Sequence, residues 1–596
     1  MDERLMEPGE TNQPETTVEV FGDRVNETSS SGNVWLLENN GDNKPQMDNS
    51  PRGRPPGQQP GHQKKKRKNN DPYKGYVKVF VSGLLLMGLA YFVHFLEPVQ
   101  VIRDFNMNMR EGSYIYRMWK APPIKLYIKV FIFNITNAAQ FLNGEDKKLR
   151  VAEVGPYTYS ETVVNEEIVW NNNKTMSFTP RRNVQFEPEM SIGDPDVDIV
   201  TVANIPLLGI ASLLHNSSTG LNLALSTLVS YLDSQPILNL SVSSFLWGYE
   251  DPLVRLAKNV LPSWINFAQF GILDRMLDEG INRVTMSLQN TNETSQFSIQ
   301  RLNGSPGLQQ WGYKPEDDDR TNHCNRVEGT LEGYLFPNNI QKNQSFTIYR
   351  RAFCRPLTIE YDRTGVSRTG YPIYMFKFAK NLLDPSNPDN ACYCKNRQEA
   401  CLPSGLSDLS PCYYNFPVAI SLPHFLNGNK SLHEALDGVS PDYKKHSSSV
   451  GIQAEVGVPV TVNIRLQTNL VVKKTKMIPR VKRFNNLVIP IFWMQVELID
   501  LPFSVNLVIY LLTEIGPMLQ KAFIVGCFGA GLILVFFANL RYAWRSGIFW
   551  KNSRRTATII SYRQKQRQHE KVIWRHSRYS QLFINPPAAL HEGRTR

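Results

Sequence analysis

Two long apolar segments lie near opposite ends of a chain that otherwise mixes polar and apolar residues. The first, VFVSGLLLMGLAYFVHFL, is Val79–Leu96, and the second, AFIVGCFGAGLILVFFANL, is Ala522–Leu540. Each approaches the roughly 20 residues that a helix needs to cross a bilayer. Two such helices would leave the intervening part of the chain on one side of a membrane. The pattern therefore predicts a large extracytosolic domain anchored at both ends.

Between these segments the pattern predicts a β-rich body with a helical insertion. Strands are predicted where apolar and polar residues alternate and β-branched or aromatic side chains are frequent, as in IKLYIKVFIFNIT, GYPIYMFKFA and Val460–Val472. Leucines three or four residues apart predict helix in 205–246, and a second helical stretch in 253–277. The apolar stretch 498–512 contains an Asp and a Pro, so we expect it to pack or lie at the membrane interface rather than span.

The formal charge of +12 is concentrated at the C-terminus. Residues 541–596 hold 13 Lys or Arg and two acids, whereas residues 1–76 hold 11 basic and 12 acidic residues. The basic pI therefore does not indicate a nucleic-acid partner. Basic clusters flank both apolar segments on their terminal sides, and such short flanks stay in the cytosol. We therefore expect both termini to be cytosolic.

This topology divides the chain into five parts. We expect a disordered cytosolic tail in 1–76, a transmembrane helix in 77–96, an ectodomain in 97–520, a second transmembrane helix in 521–540 and a basic cytosolic tail in 541–596.

Glycosylation sequons and cysteines agree with an extracytosolic middle. The N-x-S/T sequons between the apolar segments are at Asn134, Asn173, Asn216, Asn239, Asn292, Asn303, Asn343 and Asn429. Clustered cysteines in the same region are Cys324, Cys354, Cys392, Cys394, Cys401 and Cys412. An even number of cysteines in an oxidising compartment predicts three disulfides, and spacing leaves the roughly 15 pairings open. The spacing is not two CxxC pairs, so a zinc site is disfavoured.

The sequence lacks the motifs of common catalytic sites. It contains no H-E-x-x-H, no G-x-S-x-G and no P-loop. Asp194, Asp196 and Asp198 imitate the start of a calcium loop, but Ile199 stands where glycine is needed and Ile205 where glutamate is needed. We therefore expect neither an enzyme nor a cofactor or metal site.

Five sequence blocks resemble the class B scavenger receptors. In chain order they are VGPYTYSE, FEPEMSIGDPD, FLWGYEDPL, NPDNACYC and ISLPHFL, between Val154 and Leu426. The family includes fatty-acid translocase, the lysosomal integral membrane proteins and the insect sensory neuron membrane proteins. The resemblance implies an α+β membrane protein in which two transmembrane helices anchor a large ectodomain. That ectodomain would have an antiparallel β-barrel core, an apical helical bundle and an apolar tunnel. The resemblance also implies the disulfides Cys324–Cys392, Cys354–Cys412 and Cys394–Cys401.

The function implied is that of a cell-surface receptor that binds lipids or lipoprotein-like ligands and passes lipid through the tunnel toward the membrane, with uptake by endocytosis. The alternative is an endosomal or lysosomal trafficking or adhesion receptor that binds a protein partner through the apical helices. In the C-terminal tail, Tyr579 and Leu582 fit the sorting pattern Y-x-x-apolar, which would bind clathrin adaptors.

The predicted apex, 204–248, contains no Lys or Arg. Family members that capture anionic particles use a lysine cluster there, so this sequence favours neutral or amphiphilic cargo. Leucines expected to contact such a ligand are Leu208, Leu213, Leu214, Leu225 and Leu228; the alternative is that they pack the helices together. Gly526 and Ala530 in the second apolar segment have the small-residue spacing that permits helix association and a homo-oligomer.

Overall fold

The computed structural model describes residues 72–581, apart from 264, 278–279, 281, 292–294, 317–321, 395–400 and 500. Its strands are β1 (Leu126–Ile135), β2 (Leu149–Trp170), β3 (Thr175–Phe186), β4 (Ile199–Ala203), β5 (Ile237–Ser241), β6 (Tyr249–Glu250), β7 (Gln269–Phe270), β8 (Val284–Ser287), β9 (Ile299–Leu302), β10 (Ser345–Tyr349), β11 (Pro356–Val366), β12 (Pro372–Phe378), β13 (Ser407–Asp408), β14 (Val418–Ser421), β15 (Leu436–Asp437), β16 (Ser449–Gln453), β17 (Val458–Val471) and β18 (Val488–Leu498). Its helices are α1 (Pro72–Leu96), α2 (Pro98–Met107), α3 (Tyr114–Lys120), α4 (Ala138–Asn143), α5 (Ile205–Leu213), α6 (Thr219–Tyr231), α7 (Val242–Trp247), α8 (Pro252–Val260), α9 (Ile272–Leu277), α10 (Lys430–Glu434), α11 (Tyr443–His446), α12 (Phe503–Tyr510), α13 (Gly516–Arg545) and α14 (Ile548–Gln581). Nearly all of the predicted N-terminal tail lies outside the described residues.

One large sheet forms the body of the protein. Its strands follow the order β10-β11-β12-β16-β17-β18-β1-β2-β3-β8-β9, and each neighbouring pair is antiparallel. The two ends of this path meet at Leu331, which bridges Ser298 beside β9 and Ile348 in β10. The backbone N of Leu331 donates to the carbonyl of Thr347 at 2.8 Å. The sheet therefore closes into a barrel, and closure removes edges that would otherwise invite aggregation.

Alternation along the strands places apolar side chains inside the barrel. In β1, the buried residues Ile128, Val130 and Ile132 alternate with partly exposed neighbours, and Lys129 forms an ion pair with Glu497 of β18 on the outer side. Strand β18 instead has a continuous buried run, because this part of the sheet is covered on both faces. The predicted α+β fold with an antiparallel barrel core is confirmed.

Helices α5 to α9, here called the helical cap, form the predicted helical insertion. The structure refines its elements: 237–241 is strand β5, paired with β4, rather than helix. The second predicted stretch, 253–277, is two short helices, α8 and α9, separated by β7. Prolines explain the breaks: Pro236 precedes β5, Pro252 begins α8 and Pro262 follows its end, and a proline within a helix would interrupt its hydrogen bonding.

In the part of the chain that the structure describes, two helices are long and apolar enough to span a membrane, Tyr73–Met107 and Phe503–Arg545. As expected, 498–512 packs against the barrel, because Leu498, Leu501, Val505 and Ile509 are buried in one cluster with Tyr371, Ile373 and Val460. Helix α12 then continues through a π-helical turn at Leu511–Ile515 into α13. Pro502 precedes the helix, where proline removes no helical hydrogen bond, so the helix begins at Phe503.

Glycines bring α1 and α13 into close contact. A Cβ atom added to Gly83 would lie 2.9 Å from the carbonyl oxygen of Gly531, and one added to Gly531 would lie 2.6 Å from Met87 Cγ. Gly526, by contrast, has nothing within 4 Å of such an atom and lies with Ala530 on an exposed face. The small-residue spacing at 526 and 530 therefore does not pair α13 with α1, and its role in a homo-oligomer stays a prediction.

We expect Gly531→Leu to separate α1 from α13, since any Cβ at 531 lies 2.8 Å from the carbonyl oxygen of Gly83, and this backbone atom cannot move aside as the Met87 side chain can. The measurement is disulfide cross-linking between cysteines at Tyr76 and Tyr542, whose ring centroids are 5.2 Å apart, in a Cys527→Ala background. Cross-linking should fall to background in Gly531→Leu and persist in the control Gly526→Leu. Equal yields in the two variants would contradict this packing.

Candidate functional site

A cavity of about 430 Å³ opens among the helices of the cap, and we call it the cap cavity. Helices α5, α6, α8 and α9 and the segment 413–418 supply its walls. Nearly all of its lining is apolar, including Ile210, Leu214, Leu225, Leu228, Leu253, Val260, Phe267, Phe270, Met276 and Phe416. Arg275 also lines it, but pairs with Asp274 and lies 4.9 Å from the ring centroid of Phe267. The cavity is therefore suited to an apolar ligand.

Side-chain caps hold these helices in position. Asn204 accepts a hydrogen bond from the backbone N of Leu207 at 3.0 Å, which begins α5, and donates to the carbonyl of Gln235 at 2.9 Å. Asp251 begins α8 by accepting from the backbone N of Leu253 at 2.9 Å. Burial raises the pKa of the Asp251 carboxyl despite these backbone donors. Such caps satisfy backbone donors that a helix leaves unpaired at its N-terminus.

A second cavity of about 150 Å³, the barrel cavity, lies inside the closed sheet. Apolar strand residues form most of its wall, and Leu277 of α9 closes it toward the cap. Arg182 Nε lies 3.5 Å from Glu161 Oε1, and both side chains are largely buried in this wall. Glu332, Tyr334 and Arg350 also line it, so the barrel cavity carries a polar, charged patch in a largely apolar lumen.

A third cavity of about 80 Å³, the base cavity, lies where α2, α3 and α12 meet the barrel. It shares Ile124, Tyr334 and Pro459 with the barrel cavity. Burial raises the pKa of the Tyr334 hydroxyl at this junction. Because the neighbouring residues Met276 and Leu277 line the cap and barrel cavities respectively, the three cavities succeed one another between the cap and the helix that begins the second candidate span.

The structure brings three of the five predicted ligand-contact leucines together. Leu214, Leu225 and Leu228 line the cap cavity. Leu208 is fully buried in the hydrophobic core, and Leu213 lines a separate cavity beside the cap. Leu225 is itself only 6% exposed, so it both packs the helices and lines the cavity. Packing therefore accounts for Leu208, and contact with a ligand stays a prediction for Leu214, Leu225 and Leu228.

Much of the cap cavity comes from α8, α9 and the segment 413–418, which the sequence reasoning did not assign to a ligand site. A signal was present in α8, where Leu253, Leu256 and Val260 recur on one helical face. Phe416 gave no such signal, because its ring reaches the cavity by packing on Gly209, where any Cβ would lie 2.4 Å from Phe416 Cδ1.

The structure places cations beside residues 204–248, which contain no Lys or Arg. The segment 473–483, KKTKMIPRVKR, here called the basic loop, contains six Lys or Arg and no acid. Its first residue, Lys473, donates its backbone N–H to Ser212 Oγ of α5 at 2.9 Å. Arg480 Nη2 lies 2.8 Å from Asp233 Oδ1 at the end of α6. The inference that anionic ligands are disfavoured at the cap is therefore not supported by the charges around it.

The disulfides join Cys324 to Cys392, Cys354 to Cys412 and Cys394 to Cys401. These are the pairs that the family resemblance implies. Cys354–Cys412 connects the turn before β11 to the segment that lines the cap cavity, and Tyr413 donates its hydroxyl to the carbonyl of Ala352 at 2.9 Å beside it. Cys527 in α13 is unpaired.

Most of the described sequon asparagines have exposed side chains: Asn173, Asn216, Asn239, Asn303, Asn343 and Asn429. Asn134 is half-buried, because its side-chain oxygen accepts from the backbone N of Thr201 at 2.7 Å. Asn292 lies outside the described residues. Which of these asparagines carry glycans stays a prediction.

A buried histidine pair lies on the outside of the barrel. The rings of His424 and His446 stack at 4.5 Å, and His424 Nε2 lies 2.9 Å from Glu153 Oε2. Each Nδ1 accepts a backbone N–H, from Ser440 at 3.1 Å and from Asp442 at 2.9 Å. The Nε2 atoms therefore carry the protons of the neutral rings, and the group does not present the free Nε2 lone pairs that a metal ion needs.

A closed antiparallel barrel with a helical cap, set between two candidate membrane-spanning helices, defines a membrane protein with a large, double-anchored ectodomain. Residues 79–542 match the CD36 family, and the chain belongs to this family.

Among its relatives, scavenger receptor class B member 1 of Cricetulus griseus is 28% identical over 80% of this chain and 91% of its own length. The bovine protein of the same name is 29% identical over 69% of this chain and 79% of its own length. Human lysosome membrane protein 2 is 28% identical over 67% of this chain and 80% of its own length.

Proposed function

We propose that the protein is a non-enzymatic receptor that binds lipid in the cap cavity and passes it through the barrel and base cavities toward the membrane. The observation that carries this proposal is the nearly complete apolar lining of a 430 Å³ cavity. Binding sites for small molecules occupy roughly 300–1,000 Å³ and are mostly apolar. The names of two groups of relatives, scavenger receptor class B member 1 and lysosome membrane protein 2, agree with a membrane receptor.

Removal of alkyl chain from water would drive binding, at roughly 0.8 kcal/mol per buried CH₂ group. No covalent step is needed, because transfer between cavities exchanges one apolar contact for another. The ion pair between Glu161 and Arg182 would be the slowest point for a lipid to pass. An alkyl chain must move beside it without breaking it, because a broken pair would leave buried charges unpaired.

Ala224→Trp tests this proposal by filling the cap cavity from α6, where Ala224 lines the cavity and is exposed. We expect binding of a fluorescent long-chain fatty acid to the detergent-solubilised protein to weaken by about tenfold or more, which corresponds to roughly 1.4 kcal/mol. The matched control is Thr227→Trp, on the exposed face of the same helix and outside the cavity lining. If both variants bind the probe like the unmodified protein, the cap cavity is not the lipid site.

A specific observation also favours the protein-partner alternative. The outer face of the cap exposes Leu223 and Tyr231, which are 56% and 85% exposed. A partner that packs on this face would be lost in Leu223→Asp while lipid binding persists. If Leu223→Asp instead weakens lipid binding and leaves partner binding unchanged, the lipid receptor is the better account.

We further propose a double-pass topology with cytosolic termini, at the plasma membrane or at an endosomal or lysosomal membrane. The basic flanks of both candidate spans support this orientation. Tyr579 falls in α14, whereas Leu582 lies outside the described residues. Sorting by clathrin adaptors through this pair therefore stays a prediction from the sequence.

A further inference from the structure

A polar cavity of about 350 Å³ lies beside the helical cap, outside the proposed lipid path. Its walls come from α5, the region around β13 and the Cys394–Cys401 disulfide. Hydroxyl and amide side chains in the lining are Ser212, Asn390, Ser407, Ser410 and Asn415. Its ionisable lining residues are Arg355, Lys473, Asp408, His215 and Tyr393. The chemistry of this lining differs sharply from that of the cap cavity.

Arg355 is the unusual member of this group, because only 3% of it is exposed and its partners are neutral. Its Nη1 donates to Ser407 Oγ at 2.9 Å, and its Nη2 donates to Asn390 Oδ1 at 2.7 Å. The guanidinium lies 3.8 Å from the ring centroid of Tyr393. Nε is buried without a hydrogen-bond partner. In the part of the chain that the structure describes, no carboxylate forms an ion pair with Arg355.

A buried cation without a compensating charge is costly, so proteins usually pair such a group with an anion. Burial lowers the pKa of Arg355 to about 10, and the neighbouring Tyr393 opposes this shift only in part. Arg355 still keeps its charge at neutral pH, and no carboxylate among the described residues compensates it.

The surroundings of the cavity also favour an anion. Lys473, at the start of the basic loop, lines the cavity together with Arg355. Asp408 also lines the cavity, and its carboxylate accepts from Ser410 through the backbone N at 2.8 Å and through the hydroxyl at 2.9 Å. Among the described lining residues Arg355 and Lys473 outnumber Asp408, and the remaining basic loop adds to the local positive potential.

We propose that the polar cavity binds an oxyanion of the carboxylate, sulfate or phosphate-monoester class, whose charge compensates Arg355. Lys473 supplies a charged contact at the cavity wall, and the hydroxyl of Ser407, which accepts from Arg355, supplies a neutral donor. This site does not depend on lipid binding in the cap cavity, because the two cavities share no lining residue.

The test uses the full-length protein in detergent at constant ionic strength, with inorganic phosphate and octyl phosphate as separate probes and chloride as the reference ion. Binding is measured by equilibrium dialysis and by thermal stabilisation. We expect saturable binding that Lys473→Gln weakens by about tenfold, the value of one charge-assisted contact. Arg355→Gln should abolish binding if that variant folds. Lys482→Gln is the matched control, because Lys482 is an exposed cation of the same loop outside the cavity lining.

Binding of both probes with the same dependence on Lys473 supports a site for a free oxyanion. If octyl phosphate binds, inorganic phosphate does not, and Lys473→Gln weakens the binding, the cavity is a site for the head group of an amphiphile. Saturable binding of neither probe overturns the proposal. Equal weakening in Lys473→Gln and Lys482→Gln also overturns it, because the basic loop rather than the cavity would then attract the anion.

Discussion

Joint replacement of Cys354 and Cys412 by alanine is expected to lower the free energy of unfolding of the ectodomain by about 4 kcal/mol. The disulfide closes a loop with a sequence separation of 58 residues. By chain entropy alone, a crosslink over a loop of this length restricts the unfolded state by about 4 kcal/mol. Urea unfolding of the detergent-solubilised protein, followed by tryptophan fluorescence, measures the difference from the unmodified protein.

The matched control is joint replacement of Cys394 and Cys401, which are separated by only 7 residues. The same relation gives roughly 2 kcal/mol for that shorter loop. Because Cys354–Cys412 also holds the wall segment with Tyr413, the first double variant should in addition bind the fatty-acid probe more weakly. A smaller loss for the 354–412 pair than for the 394–401 pair would contradict the loop-length argument.

Acidification is expected to destabilise the ectodomain through the histidine pair. Burial and the neighbouring His424 lower the pKa of His446 to about 4, against an ordinary value of 6.5. The folded state therefore favours the neutral ring, so the stability is fully present above about pH 6.5 and is lost as the pH falls toward 4. A shift of this size corresponds to roughly 3 kcal/mol.

The charges that face this pair come from several elements. Glu153 of β2 and Asp442 ahead of α11 raise the pKa of His446, whereas Arg465 of β17 lowers it. Protonation of His446 would put a second proton on Nδ1, which now accepts the backbone N–H of Asp442, and so would break that bond. Acid should therefore first loosen the segment that leads into α11.

His446→Gln tests this expectation, because glutamine retains a hydrogen-bond acceptor but does not titrate. Stability measured by urea unfolding between pH 7 and pH 4 should fall by roughly 3 kcal/mol less in this variant than in the unmodified protein. His433→Gln, which leaves the stacked pair intact, should keep the original pH profile. If His446→Gln keeps that profile too, the histidine pair is not the acid-sensitive element.

The local patterns in the sequence identified the anchoring segments and the β-rich class of the body. The apolar runs around 79–96 and 522–540 and the alternation in β1 and β17 depend on neighbouring residues, so they can be detected without a structure. The caps at Asn204 and Asp251 likewise involve residues close in sequence. The family resemblance added the barrel, the tunnel and the disulfide pairing, which spacing alone left open.

The tertiary structure decided every property that joins distant residues. It put the basic loop against residues 204–248, which contain no Lys or Arg, with Lys473 bonded to Ser212 across 261 positions. It left Arg355 buried without an acidic partner among the described residues, and it separated Leu208 from the leucines that line the cap cavity. It also placed Gly83 and Gly531 in contact. Hydrophobic periodicity reports which face of an element is buried, but only packing determines which side chains from remote segments share that buried space.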